Sequence, residues 1–72
     1  MNKIQEIANW ILWCAKENCK KWDEPFTSDY EALMMSHDST YMEDEKDMID
    51  HMGFKKKDID RAWNYLIKRE GK

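Results

Sequence analysis

The side chains able to do chemistry in this 72-residue chain are two cysteines, two histidines and a surplus of carboxylates, 15 against 12 lysines and arginines. Cys14 and Cys19 form a C-x4-C pair. Five residues along a helix is a rotation of about 140°, so the thiols face different ways and a bridge would break the helix. They read as small apolar residues in a reducing cytosol. Asp47 and His51 stand four apart and share a helix face, with His37 and Asp38 upstream. That spacing matches no zinc or calcium-loop pattern, so no metal and no cofactor is expected. There is no glycine-rich phosphate loop, and no nucleophile with a base and an orienting group at a recognisable spacing. The expectation is a protein without catalytic function.

What remains is the chemistry of surfaces. Residues 1–22 hold four lysines against two glutamates, 23–50 hold ten acids and one base, and 51–72 hold seven bases against three acids. The net charge of −3 therefore conceals an acidic middle and a basic end. The densest acids are Asp38, Glu43, Asp44, Glu45, Asp47 and Asp50. Displayed together, such carboxylates mimic the spacing of nucleic-acid phosphates and suit a basic surface on a larger protein. The simpler alternative is intramolecular. The acidic helix lies beside the basic one, with exposed pairs contributing about 0–1 kcal/mol each.

Trp13 is the most informative aromatic residue. On a first helix it points about 160° from the centre of the apolar stripe, among Asn9, Lys16, Glu17 and Lys20. Trp10 stands at the edge of the same side. Either the two are exposed interface anchors, for a partner or for a homodimer, or the helix is central and buried on two sides. Glu6 and Glu17 on that face argue against membrane docking.

The elements that must position these groups are helical. The chain has no valine, only two glycines and one proline, and no run of alternating β-formers. A three-and-four apolar spacing from Ile4 through Ile7, Ala8, Ile11, Leu12, Ala15 and Cys19 to Trp22 predicts a helix over 2–22. Pro25 is expected to end it. Ser28 and Glu31 form a capping box opening a short helix over 29–36 that buries Tyr30, Leu33 and Met34. Residues 37–39 read as a loop, and Thr40 with Glu43 as a second box opening a helix over 41–52. Its inner side would carry Tyr41 or Met42, then Met48, Ile49 and Met52. Gly53 closes it in a Schellman motif, with Phe54 packing back on Ile49. A last helix over 56–70 carries Ile59, Ala62, Trp63, Leu66 and Ile67 on one face. No segment approaches the ~18 apolar residues of a membrane span.

The last two helices and Gly53 resemble the helix-turn-helix of DNA-binding regulators over residues 45–64, with Met48, Met52, Phe54, Ile59 and Ala62 at the apolar positions. The resemblance implies a recognition helix presenting Lys55, Lys56, Lys57 and Arg61 to the major groove. Those lysines also oppose the dipole at a helix N-terminus, a cost that a bound phosphate or an acidic patch of the same chain would relieve.

The sequence thus predicts a single all-α domain over 1–72, a compact four-helix bundle with one short helix and a C-terminal helix-turn-helix-like hairpin. The expected function is that of a cytoplasmic, non-catalytic protein-binding module, an inhibitor or adaptor of the size and charge of phage or mobile-element anti-defence proteins. Its site would be the acidic segment with Trp10 and Trp13. The alternative is a small DNA-binding transcriptional regulator.

Overall fold

Ile7, Ala8, Ile11, Ala15 and Cys19 all fall on one face of a helix, and each is fully buried. In the computed structural model, which describes residues 2–71, helix α1 (Lys3–Lys21) is the element on which the others pack. It opens on a capping box. Asn2 Oδ1 accepts from the Gln5 amide at 2.9 Å, and Gln5 Oε1 accepts from the Asn2 amide at 3.2 Å. Trp22, expected in the buried stripe, sits beyond the last turn and is exposed.

The helix ends at Lys21, four residues before Pro25. Asp23 takes a left-handed conformation, φ 56°, donating its amide to Lys20 O at 3.1 Å while Glu24 donates to Cys19 O at 2.9 Å. These are the two bonds of a Schellman motif, normally built on glycine. An L-residue there costs roughly 1–2 kcal/mol, and glycine returns part of that gain through extra freedom in the unfolded chain. Asp23→Gly should therefore stabilise the fold by about 0.5–1 kcal/mol. Thermal unfolding is the check; an unchanged or lower Tm would show that Asp23 is not strained.

Helix α2 (Asp29–Met35) is capped by Ser28, whose hydroxyl accepts from the Glu31 amide at 3.1 Å. The reciprocal half of the expected box is missing, because Glu31 instead accepts from Thr27 Oγ1 at 2.7 Å. The buried residues are Ala32 and Leu33, with Ser36 just beyond, while Tyr30 and Met34 are exposed. The register explains this correction. Positions 32, 33 and 36 share one side of a helix, and 30 and 34 lie opposite.

The loop expected at 37–39 is helical. Helix α3 (His37–Ser39) runs directly into a π-helical turn (Thr40–Asp44) and then helix α4 (Glu45–Asp50), forming one helical arm over 37–50. The chain turns between α2 and the arm at Ser36 alone, whose hydroxyl donates back to Ala32 O at 2.7 Å, a bond that bends helices. Thr40 therefore lies inside the arm and caps nothing. The stripe facing inward is Tyr41, Glu45 and Met48, spaced four and three, so Met42, Ile49 and Met52 are exposed rather than buried.

Gly53 is left-handed as expected, φ 75°. The Phe54 amide, however, reaches Met48 O at 3.1 Å instead of the Ile49 carbonyl of a Schellman motif. Phe54 turns into the core with Ile7, Ile11, Leu33 and Met48. Helix α5 (Lys56–Glu70) completes that core with Ile59, Ala62, Trp63 and Leu66, and packs along α1. The architecture is all-α, four helical units with no strand among the described residues.

Candidate functional site

The position of the arm is set by one half-buried amide. Asn18 Nδ2 donates to Thr40 Oγ1 at 3.0 Å and to Asp44 Oδ2 at 2.8 Å. Thr40 Oγ1 in turn donates to Ser36 Oγ at 3.2 Å. This chain of polar groups is buried at Ser36 and Thr40, and it ties α1 to the π turn. It carries Asp44 onto the side of α1 that bears Trp13.

There the two halves of the expected site meet. Trp10 and Trp13 pack edge to face, with centroids 5.9 Å apart and planes at 81°, and Trp13 remains 56% exposed. The structure thus decides between the two readings of Trp13: α1 is central, yet its outer face is open. Two open troughs flank the pair. One, of about 560 Å³, is lined by Glu6, Asn9, Trp10 and Trp13. The other, of about 300 Å³, lies between α1 and the arm and adds Cys14, Asp44, Asp47, Met48, His51 and Met52. Its surface is almost wholly apolar, with Asp44, Asp47 and His51 as the ionisable residues other than Cys14. Burial first, then the charges of Asp44, Asp47 and Glu17, push the Cys14 thiol up to about 11, so it stays protonated at neutral pH. Asp47 Oδ1 lies 3.9 Å from His51 Nε2.

The other acids go elsewhere. Asp38, Glu43 and Asp50 are exposed along the arm. Glu45, expected on the partner-binding surface, is only 8% exposed and is withdrawn from it. Its Oε1 lies 2.7 Å from Lys56 Nζ, a close ion pair whose angles fall outside hydrogen-bonding geometry. Lys56 also donates to Tyr41 Oη and to Asp60 Oδ1, each at 3.0 Å, and stands 4.6 Å from the centre of the Tyr41 ring. Glu45, then Tyr41 and Asp60, hold the Lys56 ammonium well above the usual lysine range, and Lys56 holds Asp60 below the usual carboxylate range. An acidic group of the same chain thus relieves the cationic helix N-terminus. Lys55, Lys57 and Arg61 remain exposed, but Lys56, the middle lysine of the three, is committed to carboxylates.

Behind this ion pair, His37, Tyr41 and Trp63 cluster. Centroids are 5.6 Å apart for His37 and Tyr41, 5.1 Å for His37 and Trp63, and 5.9 Å for Tyr41 and Trp63. Aromatic cages hold a cation within about 6 Å of each ring centre, and rings this close to one another leave no space between them for one. The cluster joins the arm to α5, and with Asp60, Asn64 and Ile67 its rings also line an open pocket of about 320 Å³.

Of the residues expected on the partner-binding surface, Trp10, Trp13, Asp44 and Asp47 line one trough; Asn18, Cys14, Met48 and Met52, which join or line it, are not among those expected. Asn18 carried a signal, being a polar residue on the flank of a long apolar stripe. The fold and this surface define a small all-α domain with an acid-rimmed aromatic groove. Comparison with protein-family models, curated proteins and solved structures finds no match. No helix among the described residues is long and apolar enough to cross a membrane.

Proposed function

We propose that this protein is a non-catalytic protein-binding module, an inhibitor or adaptor, that covers a basic surface of a larger protein with the side formed by Trp10, Trp13, Asp44 and Asp47. One observation carries this reading: the fold brings the exposed Trp pair and two carboxylates of the acidic segment to the same trough. Exposed aromatic anchors supply contact area, and a carboxylate rim supplies steering and selection of a cationic partner. Asp38, Glu43 and Asp50 extend the negative field along the arm.

The test is co-purification from the cells that make the protein, with variants at exposed positions that carry little of the fold. A partner retained by the parent should be lost at least tenfold with Trp13→Ala and with Asp47→Lys. It should be retained when Lys55, Lys57 and Arg61 are all replaced by alanine. Retention by both groove variants, or loss only with the alanine triple variant, would overturn the reading and favour the basic end.

A further inference from the structure

The two troughs beside Trp10 and Trp13 restrict what can occupy them. We infer that the occupant is a cationic amphipathic helix of the partner, laid across the Trp10–Trp13 pair with its apolar face in the troughs and its lysines or arginines against Glu6, Asp44 and Asp47. This rests on the proposed binding function and names the shape and charge of the bound segment.

Three features support it. First, both troughs share Trp10 and Trp13 and lie on either side of them, so an occupant of both must be elongated and must straddle a ridge of indole. Large apolar side chains at i, i+3 or i+4, and i+7 of one helix do this. An added strand is not accommodated along α1, which supplies Trp10, Trp13 and Cys14, because its mid-helix backbone groups are already bonded within it. Second, the exposed thioether of Met52, which lines the same trough as Trp13, adapts to differently shaped apolar side chains. Third, no lysine or arginine lines either trough among the described residues, whereas Glu6, Asp44 and Asp47 do.

That charge also weighs against a second copy of this chain. A two-fold pairing through this face sets the acid-bearing surface against itself, with no lysine or arginine in either trough to meet Glu6, Asp44 and Asp47.

The probe is a labelled 18-residue peptide of leucine and lysine, with leucines at the spacing of one helix face, titrated into the full chain and read by anisotropy. Two controls accompany it, one with the same composition in strict alternation and one with glutamate in place of lysine. The helix-patterned cationic peptide should bind, more weakly at physiological than at low salt, while both controls bind at least tenfold more weakly. Trp13→Ala and Asp47→Lys should each weaken it at least tenfold. Equal binding of the alternating peptide, or unchanged binding to both variants, would overturn the helical occupant. Should the peptide fail while the co-purified partner still depends on Trp13 and Asp47, the binding surface stands and the helix falls. Should the partner ignore both residues, the surface itself is wrong. Light scattering that shows a dimer dissolved by Trp13→Ala would place a second copy in the groove and overturn the inference.

Discussion

Ile11→Ala should remove about 2–5 kcal/mol of stability, the range for deleting a branched aliphatic side chain from a core that relaxes only partly around the cavity. Ile11 is fully buried midway along α1, the helix against which α5, α2 and the arm all pack. A chain of this length has roughly 4–11 kcal/mol in total, by the usual 0.05–0.15 kcal/mol per residue. The variant therefore loses a large share of its margin, and where the total is lowest and the loss greatest it is unfolded in water. Urea denaturation checks this as a fall in the midpoint with little change in the slope. The contrast is Trp13→Ala on the opposite face of the same helix, which opens no interior cavity and should leave the midpoint nearly where it was. A loss below 1 kcal/mol for Ile11→Ala would mean that α1 is not the centre of the fold.

Asn18→Asp is the second large effect, and it changes almost nothing in shape. The Asn18 amide nitrogen donates to both Thr40 Oγ1 and Asp44 Oδ2. Replacing it with a carboxylate oxygen turns a donor into an acceptor and sets two negative charges at hydrogen-bonding distance. A hydrogen bond to a charged group contributes about 1.5–3 kcal/mol, and repulsion adds to its loss, so a destabilisation of about 2–4 kcal/mol is expected near neutral pH. The sign with pH follows from linkage. Repulsion makes the folded variant hold a proton on the carboxyl pair more tightly than the unfolded chain does. The deficit is therefore full above the carboxylate range and shrinks as pH falls through it, when a protonated carboxyl can donate again. The measurement is the difference in stability between variant and parent at pH 7 and at pH 4. A deficit that does not shrink on acidification would show that this contact does not hold the arm.

Several parts of this molecule are local properties of the chain. The buried faces of α1 and α5 follow from three-and-four spacing alone, and the left-handed glycine at position 53 from its place just past the end of a helical segment. The outward direction of Trp13 is equally local, since it depends only on rotation along one helix. The arm was not legible, for two reasons that lie in particular residues. Ser36, His37, Asp38 and Ser39 are residues that favour caps and turns when nothing else acts on them. The bonds from Asn18 to Thr40 and from Thr40 to Ser36 override that preference. Glu45 occupies a buried stripe position, so its charge disguised the register, and Ile49 and Met52 were placed inside instead.

The sequence by itself determined which face of each long helix is apolar, that acids crowd the middle and bases the end, and that two tryptophans stand off the main stripe. Only the tertiary structure decided which acids remain available. Glu45 is taken up by Lys56, Asp44 is turned onto α1 by Asn18 across 26 residues of sequence, and Asp47 comes to the Trp side of the groove. The physical reason is the range of the forces. Periodicity encodes burial within one element, because neighbouring side chains on a helix are fixed by its own geometry. The partner of a charge is fixed by distances between elements, which exist only once the helices have packed.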